Sequence, residues 1–251
     1  MQMDLPYLTT FLSYIKKPAK RKLLKECLAL KNRKGIEIGG PSNFFKLKGY
    51  FPIYAFAKQI DGVNFGNETV WEGKLSAGNN YHYYKNKNGF QFISEASGLS
   101  QIKNADYDFL LSCHSLEHVA NVIQTLKEWN RVLKPGAALV LVLPDKRYTF
   151  DHKRPYTTFE HLLKDYENNI DEHDETGFEE MIALHDITMD PGSKSKEEFK
   201  MRLKDNFNNR CAHHHVFSNE LVRQTLEYCN FKIIHQQEIT ELHLLTLAVK
   251  N

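Results

Sequence analysis

From residue 34 onward the chain alternates between short apolar runs and longer amphipathic ones. The run Lys34-Gly35-Ile36-Glu37-Ile38 stops at Gly39-Gly40-Pro41-Ser42. It reads as a buried strand ending in a glycine turn, with Ser42 placed to cap the next element. Further strands are expected at 62–65, 90–94, 107–112 and 137–143. Between the last two, apolar residues at 116, 119, 123, 126, 129, 132 and 133 recur at helical spacing, and Lys134-Pro135-Gly136 ends that helix. Strand, helix, Pro-Gly turn and strand make a βαβ crossover, and such units stack into parallel sheets that bind ligands at the carboxyl ends of the strands. The loops 39–43, 64–73, 95–99, 112–118 and 144–155 are therefore expected to open onto one rim.

The flanks have other periods. Residues 7–30 carry helical periodicity around Pro18, with Leu23, Leu24, Cys27, Leu28 and Leu30 as an apolar stripe and lysines opposite. This reads as a helix that covers the sheet or the cofactor, in preference to one lying on a membrane surface. Residues 151–210 are rich in Asp, Glu, His, Asn and Lys, with helical patches near 157–167, 176–187 and 196–206. They form an expected helical lid over the rim. A helix at 218–229 and strands at 231–240 and 242–249 close the chain. The fold class is α/β, a Rossmann-like, mostly parallel sheet with a closing antiparallel strand and a helical insertion after the fifth strand. One domain is expected over 1–251, divided into a helical segment 1–33, a nucleotide-binding core 34–150, an inserted lid 151–215 and a closing unit 216–251.

Composition narrows the class. A chain of 251 residues that is 41% hydrophobic can bury one sizeable core. Lys plus Arg number 33 against 31 Asp plus Glu, and a net charge of +2 argues against a surface that coats nucleic acid. Cys27, Cys113, Cys211 and Cys229 form no C-x-x-C pair and suit a reducing, cytoplasmic location. Lys16, Lys17, Lys20, Arg21 and Lys22 interrupt the N-terminal apolar residues, and no later run approaches ~18 apolar residues, so neither a signal peptide nor a membrane span is expected. The pattern carries no signal for oligomeric state.

The glycine turn lets backbone approach a nucleotide closely. Glu37, just before it, suits a ligand with a cationic end, whereas an anionic pyrophosphate favours a helix N-terminus free of nearby acid. Residues 35–41 read Gly-Ile-Glu-Ile-Gly-Gly-Pro, 107–119 read Tyr-Asp-Phe-Leu-Leu-Ser-Cys-His-Ser-Leu-Glu-His-Val, and 131–136 read Arg-Val-Leu-Lys-Pro-Gly. In this order and spacing they resemble the first motif, the fourth motif and the turn before the fifth strand of class I S-adenosylmethionine-dependent methyltransferases. The resemblance covers most of 34–145 and 215–250. It implies S-adenosyl-L-methionine as cofactor and S-adenosyl-L-homocysteine as product. It further implies that Glu37, Gly39 and Gly40 line the methionine and ribose end. Asn64 falls where an acid usually binds the ribose hydroxyls, Glu95 and the Ala96 backbone where adenine is read, and Ser112, Cys113 and His114 beside the methyl group. Two departures stand out: Gly-Gly-Pro replaces Gly-x-Gly, and Asn64 lacks a charge that Asp61 or Glu72 would have to supply. Gly49 and Pro52 predict a short or broken first crossover helix.

On the acceptor side, the loop 144–155 carries four cations, two acids and a histidine. Lys146, Arg147, Lys153 and Arg154 facing inward would hold an anionic acceptor, with solvated charges as the alternative. Asp151 with His152, or His114, are candidates for a general base. His213, His214 and His215 are acceptor-binding candidates, and alternate ones would share a face if extended. No fixed ligand spacing supports zinc at these histidines, Cys211, His152, His173 or His185, and no metal is expected. His118, after Glu117, is expected to cap or pack the following helix. Residues 149–155 and 213–217 resemble a subset of bacterial methyltransferases found with surface-polysaccharide and capsule biosynthesis. That resemblance implies O-methylation of a small-molecule or nucleotide-linked acceptor, anionic through a phosphoryl or phosphoramidate group. A sugar-hydroxyl methyltransferase using a His/Asp base and a non-catalytic methyltransferase-like binding module are the alternatives. A nicotinamide oxidoreductase would need more glycine in the turn and an acid after the second strand.

Overall fold

The computed structural model describes residues 20–239 and 242–251, together with Leu8 and Leu12. Lys16, Lys17 and Pro18 of the expected N-terminal helix, and Thr240 of the closing strand pair, lie outside the described residues. The elements in chain order are α1 (Arg21–Ala29), β1 (Lys34–Ile38), α2 (Ile53–Phe56), β2 (Gln59–Asn64), β3 (Glu68–Thr69), β4 (Gly73–Lys74), β5 (Gly78–Tyr84), β6 (Lys87–Ile93) and β7 (Tyr107–Cys113). After them come α3 (Val122–Val132), β8 (Leu133–Pro144), α4 (Phe159–Glu167), α5 (Phe178–Leu184), α6 (Lys196–Lys204), α7 (Asn206–Asn209), α8 (Asn219–Tyr228), β9 (Phe231–Ile239) and β10 (His243–Lys250).

Eight strands form one sheet in the order β5-β6-β2-β1-β7-β8-β10-β9. The centre is parallel: β1 pairs with β2 and β7, β2 with β6, and β7 with β8. β10 runs antiparallel to β8, β9 to β10, and β5 to β6. This is the Rossmann-like sheet expected, with antiparallel edges. Because the central strands are covered on both faces, they read as continuous apolar runs, which made them visible in the sequence. β5 did not read as a strand, because an edge strand buries one face alone: Tyr81 and Tyr83 point inward among polar neighbours.

One face of the sheet packs against α3, α4 and α8 through Ile123, Leu126, Trp129, Leu162, Leu221 and Leu226. The other is covered by α1 and the 44–57 segment through Leu23, Cys27, Phe45, Phe51 and Tyr54. α1 buries Leu23, Leu24 and Cys27, but Leu28 is exposed, so the stripe is narrower than expected. The first crossover is a 3-10 turn at Asn43–Phe45, which Ser42 caps (Phe44 N to Ser42 Oγ, 3.2 Å), followed by the four-residue α2. The helix expected from 116 to 133 is instead a 3-10 turn at Leu116–His118, then a break, then α3, whose cap is Asn121 (Gln124 N to Oδ1, 3.0 Å). That break frees Glu117 and His118 from the helix. Residues 151–215 carry α4 to α7 and a third apolar cluster of Phe178, Met181, Phe199, Leu203, Cys211 and Ala212. Among the described residues no helix is long and apolar enough to cross a membrane.

Candidate active site

The turn after β1 is set by sterics. Gly39 has φ +73°, and a Cβ there would lie 2.3 Å from Ser115 Oγ. At Gly40 a Cβ would lie 2.2 Å from the Glu37 carboxyl carbon. Only glycine fits either place. Glu37 itself is fully buried beneath the turn and accepts from Tyr54 Oη at 2.6 Å, Tyr81 Oη at 2.7 Å and Ser42 N at 3.1 Å. Burial outweighs these three donors and pushes its carboxyl up to about 7. The structure thus places Glu37 behind the turn as its support, and not on the ligand-facing surface expected of it.

A cavity of about 340 Å³ opens at the carboxyl ends of β1, β2, β6 and β7. Gly39, Asn64, Glu95, Ala96, Cys113 and His114 line it, as expected, while Gly40 and Ser112 do not. Ser112 is fully buried within β7. Asn64 donates to Gly40 O at 3.3 Å, which fixes its amide against the turn. Of the two acids considered beside Asn64, Glu72 lines the cavity. Asp61 is turned away, accepting from Tyr107 Oη and Phe90 N at 2.8 Å each. Ala96 is held by the buried Trp129, whose Nε1 donates to Ala96 O at 3.1 Å. Burial raises the Cys113 thiol to about 12 and so removes it as a nucleophile near neutrality. His114 has φ +52° and shares a 2.9 Å hydrogen bond with His243 Nδ1. Burial, with His243 and His213 nearby, drops its imidazole to about 3, so it is neutral over the physiological range.

Four of the five predicted loops reach this cavity. The fifth, 144–155, does not. Its cations are committed elsewhere: Lys146 to Arg154 O, Arg147 to Asp145 and Glu238, and Lys153 to Asp186 at 3.1 Å. Arg154 is 4% exposed and donates to Asp151 at 3.0 Å, Glu180 at 3.1 Å and His213 O at 2.8 Å. The expected inward clamp is therefore corrected to a fastening of the lid. His152 pairs with Asp186 at 2.9 Å away from the cavity. Asp151 meets His213 Nδ1 at 2.5 Å, and against its own burial His213 and Arg154 hold it down to about 2. It is too weak a base to serve as the candidate proton acceptor.

The histidines diverge. His213 turns to Asp151, His214 to Asn206 at 3.2 Å, and His215 to Ala120 O at 3.0 Å. His213 and His215 do not share a ligand-facing surface, and none of the three lines the cavity. His118 does line it, donating from Nδ1 to Ala212 O at 3.0 Å, and does not cap a helix. Sequence reasoning missed Trp71, Glu172 and Arg210, all on the cavity wall. Arg210 crosses from the lid to pair with Glu95, with its guanidinium between the rings of Phe65 and Phe207. Glu95 is thus shared between lid and cavity. Only the packing of the lid on the sheet brings these groups together, and no spacing in the sequence announces it.

Residues 55–141 match the methyltransferase domain family. No curated protein matches the chain. Among solved structures, a provisionally assigned S-adenosylmethionine-dependent methyltransferase from Listeria monocytogenes aligns over 94% of this chain and 100% of its own, with 16% identity and a TM-score of 0.52. An S-adenosylmethionine-dependent methyltransferase from Mesorhizobium loti aligns over 93% and 96%, with 13% identity and a TM-score of 0.52. At such identities the likeness is one of fold. The chain thus has the Rossmann-like fold seen in S-adenosylmethionine-dependent methyltransferases, and over 55–141 its sequence is similar to the methyltransferase domain family.

Proposed function

We propose that this chain is an S-adenosylmethionine-dependent O-methyltransferase acting on a hydroxyl of a small polar acceptor. The observation that carries the reading is the cavity at the carboxyl ends of β1, β2, β6 and β7, with Gly39, Asn64 and Ala96 on its wall in the order that tail, ribose and adenine recognition require. Its volume of about 340 Å³ lies in the usual range of small-molecule sites, roughly 300–1,000 Å³. The residues present fit the cofactor: Gly39 lets backbone come close, Asn64 offers an amide to a diol, and Glu72 adds a carboxylate near a cationic ligand. When bound, the cofactor supplies an electrophilic methyl carbon on a positive sulfur. The chain's own residues have then to hold the acceptor oxygen in line and keep water out.

His114 is placed to accept a hydrogen bond from the acceptor hydroxyl and orient it. At a pKa of about 3 it is too weak to remove that proton unaided. The commitment of Lys146, Arg147 and Arg154 to protein partners favours a neutral hydroxyl over the anionic group expected first. The resemblance of 149–155 and 213–217 supports an acceptor of the sugar or nucleotide-sugar kind used in surface polysaccharides. Four free cysteines suit a cytoplasmic location.

Thermal-shift titration tests the cofactor: S-adenosylhomocysteine should raise the melting temperature with concentration and NAD should not. Stabilisation by NAD alone would sink the proposal. An S-adenosylhomocysteine release assay across free sugars, nucleotide sugars and their phosphorylated forms tests the acceptor, with turnover expected on hydroxyl groups. Cofactor binding without release on any acceptor would favour the non-catalytic binding module.

A further inference from the structure

Glu117, His118 and His213 meet at the edge of the cavity, and one ligand atom from each lies within 4.8 Å of the others. Glu117 is 1% exposed, and neither of its carboxylate oxygens has a hydrogen-bond partner. A carboxylate withdrawn from water with no donor is strongly disfavoured, and native proteins keep such a group where something else meets it. Each imidazole keeps one ring nitrogen outside the hydrogen bond that holds it. His118 donates its Nδ1–H to Ala212 O at 3.0 Å, and His213 uses Nδ1 toward Asp151 Oδ2 at 2.5 Å. Among the described residues no hydrogen bond engages Nε2 of either ring. A carbonyl or carboxylate on the far nitrogen is how proteins orient metal-binding histidines. Asp151 is in turn held by Arg154 at 3.0 Å, so the loop 144–155 acts as the outer support of this cluster.

We propose that Glu117, His118 and His213 bind a divalent first-row transition-metal ion, with Zn²⁺ as its probe, on the cavity side of the lid. Two imidazoles and one carboxylate are a donor set such ions favour, and three protein ligands leave a position for a water or an acceptor oxygen. His118 itself lines the cavity, so that position faces it. In the second cluster of this kind, His161, Asp165 and His215, the buried His215 Nδ1 and Asp165 Oδ2 also lack partners, but His161 is exposed and none of the three lines the cavity. It serves as a control.

The role of the ion rests on the methyltransferase reading, whereas its binding does not. An acceptor hydroxyl coordinated there would be acidified, which His114 cannot achieve alone. Its proton leaves to water and its oxygen bonds to the methyl carbon. The carbon–sulfur bond breaks with its electron pair returning to sulfur.

The test uses full-length protein without a histidine tag, stripped with chelator and titrated with Zn²⁺ by calorimetry, with S-adenosylhomocysteine titrated separately into the same sample. One equivalent of Zn²⁺ is expected for the wild type and for His161→Ala, with loss of that binding in Glu117→Gln and His213→Gln. Asp151→Asn should weaken it about 10- to 100-fold by releasing the His213 ring. Co²⁺-loaded wild type should show ligand-field absorption, so the proposal stays decidable even where a variant fails to fold. Zn²⁺ binding below one equivalent in the wild type, or full binding kept by folded Glu117→Gln, would overturn it. Either result leaves the S-adenosylhomocysteine titration to judge the cofactor reading on its own.

Discussion

The floor of the cavity and the lid above it are built on different logic. On the floor each site residue sits at or just beyond the end of a strand, and the group that constrains it comes from the turn after an adjacent strand or from the helix packed on the sheet: Ser115 behind Gly39, Gly40 against Asn64, Trp129 on Ala96. In the lid the partners are polar groups carried on loops and short helices outside the sheet, with Arg154 on Glu180 and on the His213 carbonyl, Asp151 on the His213 ring, and Arg210 reaching Glu95 on the rim. A parallel strand dictates where its carboxyl end points. A charged residue in a loop has no role until its partner arrives.

Breaking the lid should give the largest effect. Arg154→Met removes one member of a buried pair and is expected to cost about 3–5 kcal/mol, read as a lower urea midpoint. For a chain of this size the melting temperature should fall by about 6–20 °C. Cofactor affinity of the folded variant should hold. Unchanged stability with a raised acceptor KM would restore the clamp reading of the 144–155 loop and erase the contrast.

Glu37 sharpens the other side of the comparison. Its folded pKa of about 7 lies above the ordinary 4.5, so its contribution to stability is fully present below about pH 4.5 and is lost as pH rises through about 7. The loss amounts to up to about 3 kcal/mol. Denaturation followed from pH 4.5 to 8 should show this decline, and Glu37→Gln should flatten it. An equal slope in both proteins would mean that other groups carry the pH dependence.

Gly39→Ala forces a side chain into the left-handed region, at about 1–2 kcal/mol, and against Ser115 as well. S-adenosylhomocysteine binding should weaken by at least about tenfold, and Ser115→Ala should recover part of it, as expected of sites in contact. Asn64→Ala should cost about 1 kcal/mol of cofactor affinity, roughly fivefold by calorimetry. The smallest effect is expected at the exposed Arg147, where Ala should leave both the denaturation midpoint and the acceptor KM within error.

The legible part of this protein was the part governed by local rules. Apolar runs marked β1, β2, β6, β7 and β8, and with the glycine turn they located the rim and four of its loops. Gly49 and Pro52 foretold the short first crossover, and the helical patches of 151–215 matched α4 to α6. The edge strand β5 stayed hidden, because one buried face among polar residues gives a weak signal, and with it stayed hidden the support that Tyr81 gives to Glu37.

Which groups face the cavity was settled only by tertiary structure. The sequence by itself determined that Arg154, Asp151 and His213 were present and clustered within their own segments. It could not determine that they would bind one another, because the free energy of a buried charge depends on what is brought beside it. The same holds for Glu117 and His118: their register along the chain suggested a helix start, whereas the break before Asn121 turns His118 onto the cavity. Strand direction is written locally, but the pairing of polar groups across the 144–155 loop, the lid and the rim exists only once the chain has packed.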